Sequence, residues 1–281
     1  MSASLKIEFP DATGFSPRNL ARMRKFYETY GDISNLPPAV AKLPWTHNSI
    51  LVERIENPNK RIWYAEKCLE NGWNKVVLDH QIDLDLYDRQ SDNSKKLTNF
   101  YEQLPEVQGE LAVDVIKDPY IFELAGLNSK SKELDIEKAM IERIKSVLLE
   151  LGKGFSFVGN QYKVTVDNQD FYIDLLFYHI KLKCYIAVEL KVVEFKPEFA
   201  SKMGFYLTAL DEEVKDENDN PSIGLILCQN KSNKIVDYTL KYINKPVGVS
   251  EYKIFDKLSN DILKELPTED DINLHINIDD E

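Results

Sequence analysis

Cysteine and histidine are the scarcest chemical resources of this chain, whose 281 residues hold three of the first and four of the second. Cys68, Cys184 and Cys228 lie far apart, an odd number without metal-ligand spacing, so they are expected to be reduced core residues. The histidines form no HxxxH pair, which argues against zinc. A Gly-rich phosphate loop, a GxSxG turn and a Cys-His pairing are missing too, and with them any support for an unrelated α/β enzyme of those chemistries. The opening MSASLKIEFP lacks the apolar stretch of a signal peptide, and no apolar run approaches the roughly 20 residues that span a bilayer, so the expectation is a cytoplasmic protein without membrane contact. Positive charge is short as well. The 35 basic and 47 acidic side chains leave a formal −12, which excludes sequence-blind coating of nucleic acid by bulk electrostatics.

What is present reads as a soluble globular chain, 43% hydrophobic and 29% charged, long enough for two domains with cores of their own. The charge is uneven. Residues 1 to 75 carry 11 basic and 8 acidic groups, whereas residues 251 to 281 carry 3 and 10, so more than half of the net acidity is tail.

The first third is patterned as helix. Ser16-Pro17 is an N-terminal cap and Gly31 a C-terminal one, which brackets a helix over Pro17–Tyr30 with Leu20, Met23, Tyr27 and Tyr30 as its buried stripe. Arg18, Arg22 and Lys25 gather on another face. After a proline-rich connection come three short helical patterns, 46–56, 59–69 and 74–81, the second stopped by Asn71-Gly72. This suits a helix-turn-helix type module. It equally suits a plain helical bundle with solvated charged faces. Residues 82–131 are polar and irregular, with one helix expected near 95–103.

From Lys132 the pattern changes. A helix over 132–151 closed by Gly152, strands at 155–166, 171–178 and 183–192, a helix from Pro197 to about Lys215, a strand in SIGLILC, a helix near 234–243 and a strand near 248–254 predict an α/β chain with a mixed, α+β type sheet. One further helix is expected between Asp256 and Leu266. The domains expected are 1–104, helical; 105–131, linker; 132–255, α/β; and 256–281, an acidic tail.

Within the strands, charges stand where apolar patterning leaves no room for them. Asp174 is alone in FYIDLLFY, and Glu189 and Lys191 interrupt CYIAVELKVV two apart, hence on one face. A buried carboxylate without a partner costs several kcal/mol, so these groups need counter-charges. If the hairpin turns between Lys181 and Leu182, Asp174 faces Glu189 directly, with side chains ~5 Å apart. Two carboxylates so close call for a proton or a cation, and with oxygen donors alone the cation is Mg²⁺, or Mn²⁺ in its place. Stepping back four from Ile141 along the stripe Ile141, Ile144, Leu148, Leu151 lands on Glu137, which is expected to face the sheet. Glu142 and Glu150 are expected to be solvated, and Glu133 to sit at a frayed end. The bland alternative is a salt-bridged strand face.

Asp followed by Glu-x-Lys on the adjacent strand, with a helix glutamate before it, is the pattern of the PD-(D/E)xK phosphodiesterases. The longer runs LLELGKGFSFVGNQYKV, FYIDLLFYHIKLKCYIAVELKVVEFKPEFASKMGFYLTALDEEVK and DNPSIGLILC, with FSPRNLARMRKFYETY and LPWTHNSILVERIENPNKRIWYAEKCLENGW ahead of them, resemble the YhcG-like family of bacterial proteins. The resemblance covers roughly Gly14 to Phe255. It departs after ELK, where Val192 and Val193 replace a small residue and glycine, and longer members carry a helix ahead of FSPRNL.

This resemblance implies a restriction-endonuclease-like core preceded by an all-helical domain. It implies a metal-dependent nuclease acting on nucleic acid, DNA before RNA, in mobile elements, restriction or defence. It places the nuclease residues on Asp174, Glu189 and Lys191 and most plausibly on Glu137, with Glu137, Asp174 and Glu189 on the metal. Gln161 matches another family position, as a DNA or metal-water contact or as a satisfied strand-end amide. Nucleic-acid contacts are expected around Arg18, Arg22 and Lys25, with a protein partner or a second copy of the chain also open. The alternative is a module that keeps the nuclease fold and binds without cutting.

Overall fold

The computed structural model describes residues 8, 14–31, 36–91, 96–124, 127 and 131–255. The helix expected after Asp256 lies outside them. By internal contact the chain divides into two units between Tyr87 and Asp88.

The first unit is helical. Helix α1 (Pro17–Tyr30) starts where Ser16 Oγ accepts the Asn19 N–H at 3.2 Å, and ends where Gly31, at φ 66°, donates its N–H to Tyr27. Its inward face differs from the expected stripe: Phe26 and Tyr30 pack on the core, while Met23 and Tyr27 are exposed. Aromatic contacts decide this, since Phe26 meets Tyr30 at 4.8 Å and Trp45 at 5.6 Å between ring centroids. Helices α2 (Pro38–Lys42), α3 (Trp45–Arg54), α4 (Pro58–Asn71) and α5 (Lys75–Asp83) follow. Gly72 ends α4 in the left-handed region, and the Asn74 side chain accepts from the Val76 and Val77 N–H groups to start α5. Val40, Leu51, Tyr64, Cys68 and Leu78 form the core. Buried Arg61 donates to the Ile55 and Glu56 carbonyls at the end of α3.

Helix α6 (Leu86–Gln90) straddles the division, followed by β1 (Leu97–Thr98) and α7 (Phe100–Gln103). The stretch 105–131, read from the sequence as linker, contains α8 (Glu106–Val115) and β2 (Tyr120–Glu123). Too short to show periodicity, β2 is held by burial of Tyr120, Phe122 and the adjoining Leu124. The expected helix over 132–151 is two, α9 (Glu133–Glu142) and α10 (Ile144–Leu151), parted at Arg143. Their deepest apolar positions are Ile136, Met140, Val147 and Leu151, and the expected stripe of Ile141, Ile144 and Leu148 is only half-buried. Then come β3 (Phe155–Val166), β4 (Gln169–His179), β5 (Cys184–Glu194), α11 (Pro197–Glu213), β6 (Ile223–Asn230), α12 (Asn233–Leu240) and β7 (Val247–Phe255).

The strands form one mixed sheet in the order β1-β7-β6-β5-β4-β3, with β2 pairing parallel to β7. The β3/β4 and β4/β5 pairs are antiparallel; β5/β6 and β6/β7 are parallel. Helices cover both faces. Leu175, Phe177, Ile186, Val188 and Leu190 pack toward α9 and α10, while Ile173, Leu176, Ala187 and Ile226 pack toward Met203, Leu207 and Leu210 of α11. Burial on both sides explains why β4 and β5 read as nearly unbroken apolar runs. Gly224 lets α11 approach β6, since a Cβ there would lie 2.4 Å from Met203 Cγ. All three cysteines are free and buried.

Candidate active site

The β4/β5 hairpin turns over residues 180–183, and its pairing runs from His179 opposite Cys184 to Leu175 opposite Val188. One step further brings Asp174 to Glu189, the register that a turn between Lys181 and Leu182 requires. At that step the ladder gives way to a side chain: Asp174 Oδ2 accepts the Leu190 N–H at 3.0 Å. Both carboxylates are buried, Glu189 to 1% exposure.

Two ammonium groups converge on Glu189 Oε1. Lys191 Nζ lies 3.1 Å from it, and is also held by Glu133 Oε1 at 2.8 Å and the Leu190 carbonyl at 2.6 Å, with Asp174 Oδ2 3.9 Å away. Lys202, from the second turn of α11, donates to the same Glu189 oxygen. Sequence reasoning missed Lys202, whose only signal is its place one turn before Tyr206 on the sheet-facing helix. It also undervalued Glu133, which Lys191 anchors in the first turn of α9. Glu189 Oε2 is buried and has no hydrogen-bond partner among the described residues.

Glu137 is buried at the second turn of α9 and joins the group through Gln161. The Gln161 amide Nε2 reaches Glu137 Oε1 at 3.0 Å and Oε2 at 2.9 Å, with Asp174 Oδ1 at 3.4 Å. Its backbone stands at φ 42°, just past a register shift between Phe157 and Gly159, so β3 is bent to aim this side chain. Glu137, Asp174, Glu189 and Lys191 are therefore one hydrogen-bonded group, with Gln161, Glu133 and Lys202 completing it.

Burial, and after it the charge of Glu189, pushes the Asp174 carboxyl up to about 6. Burial opposes the charge on Lys191, but the hydrogen bond to Glu133 and the Glu189 and Asp174 carboxylates outweigh it and hold the ammonium above its ordinary value. Lys202 is raised in the same way, the bond to Glu189 overcoming its burial. Lys191 is therefore held as an ammonium that donates hydrogen bonds. As they stand, no three His, Cys, Asp or Glu side chains among the described residues close around a common cation position. The donors nevertheless fit a hard divalent cation: they are oxygens alone, they carry excess negative charge, and Glu189 Oε2 is buried with no donor to it among the described residues.

Other sequence expectations are placed differently. Glu150, expected in solvent, is buried, where it binds Arg89 and Lys117 and accepts the Ile121 N–H at 2.8 Å. Its partners come from segments 33 and 61 residues away, so the period of its own helix cannot reveal them. In the helical unit, Arg22 donates twice to the Glu53 carboxylate at 2.8 Å and Lys25 reaches the Glu53 backbone carbonyl at 3.4 Å, so both cations are already engaged by Glu53. No helix among the described residues is long and apolar enough to cross a membrane.

Comparison with known proteins follows the same division of the chain. Residues 113–267 match the YhcG PDDEXK nuclease domain and residues 1–89 the DUF1016 N-terminal domain. The Escherichia coli (strain K12) protein YhcG is 30% identical over 269 residues, which span 86% of this chain and 72% of the relative. Among solved structures, a repair endonuclease from Pyrococcus abyssi is similar at 14% identity and TM-score 0.31, over 45% of this chain and 48% of that one. An EndoMS complex with double-stranded DNA is similar at 14% identity and TM-score 0.32, over 50% and 49%. The match thus spans about half the length of those two proteins. The chain belongs to the YhcG family and carries that family's PDDEXK nuclease domain.

Proposed function

We propose that the chain is a divalent-metal-dependent endonuclease that hydrolyses phosphodiester bonds in DNA, acting in the cytoplasm. The observation that carries this reading is the convergence of Asp174, Glu189 and Lys191 at adjoining strand positions, with one buried Glu189 oxygen left without a donor among the described residues. Asp174 and Glu189 would hold Mg²⁺ or Mn²⁺, with Glu137 close enough through Gln161 to complete the set. When bound, such an ion neutralises the scissile phosphate and acidifies a water. The chain's own residues do the rest. Lys191, held by Glu133 and by the Leu190 carbonyl, presents a fixed ammonium to the oxygen on which negative charge develops. Gln161 keeps Glu137 and Asp174 in one orientation.

The helical unit is proposed to engage the nucleic acid or a protein partner, with Arg18, Arg22 and Lys25 as the cationic face and Glu53 as their competitor. For expressing the parts, the working division is between Tyr87 and Asp88, because β1 and β2 pair with β7 and the 105–131 stretch contributes to the core of the sheet.

The test is incubation of supercoiled plasmid and branched DNA with the purified full chain in Mg²⁺ or Mn²⁺. Nicking that needs the cation and is abolished by Asp174→Ala and by Lys191→Ala, with circular dichroism unchanged, supports the reading. Metal-independent nicking, or cation-dependent nicking that survives both substitutions, overturns it. Binding of DNA without any cleavage across the panel assigns the chain to a silent module instead.

A further inference from the structure

We propose that Lys202 is a displaceable internal counter-ion that competes with the divalent cation for Glu189 and so sets the cation affinity of the site. The proposal deepens the nuclease reading and rests on its assignment of Asp174 and Glu189 as cation ligands.

The two oxygens of Glu189 are unequally served. Both nearby ammonium groups crowd Oε1, while Oε2 of the same buried carboxylate has no hydrogen-bond partner among the described residues. A carboxylate at 1% exposure with an idle oxygen is costly to keep unless something else is to bind it. The two lysines that share Oε1 are held very differently. Lys191 has a side chain 12% exposed, fixed by Glu133 and the Leu190 carbonyl and lying over the Phe199 ring. It has nowhere to go. Lys202 stands at 45% exposure on α11, one turn before buried Tyr206, with Glu189 as its carboxylate partner and the Tyr206 ring 5.0 Å away. Its long stem can rotate into water without uncovering the core.

A cation held by Asp174 and Glu189 would therefore meet one fixed and one movable positive charge. Repulsion over so short a distance falls on the movable one. Lys202 keeps Glu189 neutralised in the empty site and leaves when the cation enters. Its departure restores negative charge to the carboxylates at the moment when the ion needs it. After release, the ammonium remains tethered beside Tyr206 at the mouth of the site.

Two readouts on the full-length chain, neither of them cleavage, test this. The first is Mn²⁺ affinity by titration calorimetry in the absence of nucleic acid. Lys202→Gln is expected to bind Mn²⁺ roughly tenfold more tightly than the unmodified chain, from the loss of a like charge at contact distance. Lys196→Gln, which removes a charge just ahead of α11 that pairs with Glu198 at 3.9 Å, is expected to leave the affinity unchanged. The second is acetylation of lysines read by mass spectrometry. Lys202 is expected to become several-fold more reactive on saturation with Mn²⁺, while Lys191 stays protected.

Unchanged or weaker Mn²⁺ binding by Lys202→Gln overturns the proposal, as does an equal gain in Lys196→Gln or a Lys202 reactivity indifferent to Mn²⁺. Absence of Mn²⁺ binding in both the unmodified chain and Lys202→Gln overturns it too, whereas binding by the variant alone supports it. The two readings fail separately. Cation-dependent cleavage with no effect of Lys202→Gln on affinity removes this inference and keeps the nuclease. Tighter Mn²⁺ binding by a chain that never cleaves removes the nuclease and keeps the inference.

Discussion

Gln161 holds both oxygens of Glu137 with a single amide nitrogen, at 3.0 and 2.9 Å, from a backbone at φ 42°. A positive φ in a non-glycine strand residue is a local cost, of order 1–3 kcal/mol, that the surrounding structure sustains. Gln161→Gly should therefore relieve the backbone cost but take from buried Glu137 its amide donor, so a small net change in stability is expected together with loss of the bridge between α9 and β4. Metal affinity or cleavage rate is expected to fall roughly 10–100-fold, the usual effect of removing a group that orients ligands. Thermal melting and cleavage kinetics on the same preparation check it, and equal activity would free Gln161 of any positioning role.

Glu150 carries structural weight of a different kind. It is buried between Arg89 and Lys117, so Glu150→Ala leaves two cations without their carboxylate. Removing one partner from such a cluster costs about 3–5 kcal/mol. Urea denaturation should show that loss, whereas substituting the exposed Glu142 should change stability by no more than about 0.5 kcal/mol.

Acid should destabilise the nuclease unit through His179. Burial, with Lys181 adding to it, drives this imidazole down to about 4 from an ordinary 6.5, and its Nδ1 accepts the Leu182 N–H at 3.1 Å. The unfolded chain takes up the proton near 6.5 and the folded chain only near 4, so stability is lost as pH falls through that window. The loss is about 3 kcal/mol when complete. His179→Phe, tested by denaturation between pH 7 and about 4, should flatten the profile. The ring also lies 2.7 Å from where a Cβ on Gly154 would stand, and Gly154 has φ 105°, so Gly154→Ala is expected to cost more than about 2 kcal/mol at any pH.

On the helical unit, Glu53 restrains the cations that nucleic acid would use. Glu53→Gln should tighten nucleic-acid binding, and replacing Arg18, Arg22 and Lys25 by Gln should weaken it and lower its salt dependence by up to about one unit of slope per lost contact. Filter binding across a salt series measures both. Identical slopes for all forms would move the contact elsewhere.

Much of the site was legible because burial made its charges conspicuous. Asp174 and Glu189 stand out in strands covered on both faces, and the short hairpin leaves one register that pairs them. Helix ends were equally legible, since Ser16, Gly31, Gly72 and Asn74 act on their own few neighbours. What escaped was whatever depends on distant chain. Strand β2 exists only by lying along β7, Glu150 is buried only because Arg89 and Lys117 reach it, and Phe26 turns inward because Trp45 is there. Lys202 escaped for another reason: an exposed helical lysine looks solvated until its carboxylate is located.

The most direct test of the central claim is the anomalous scattering of a crystal grown with Mn²⁺. One manganese peak is expected in contact with Asp174 and with Glu189 Oε2, Lys191 still held by Glu133 nearby. A saturated crystal with no peak there, or with manganese bound only at other residues, contradicts it.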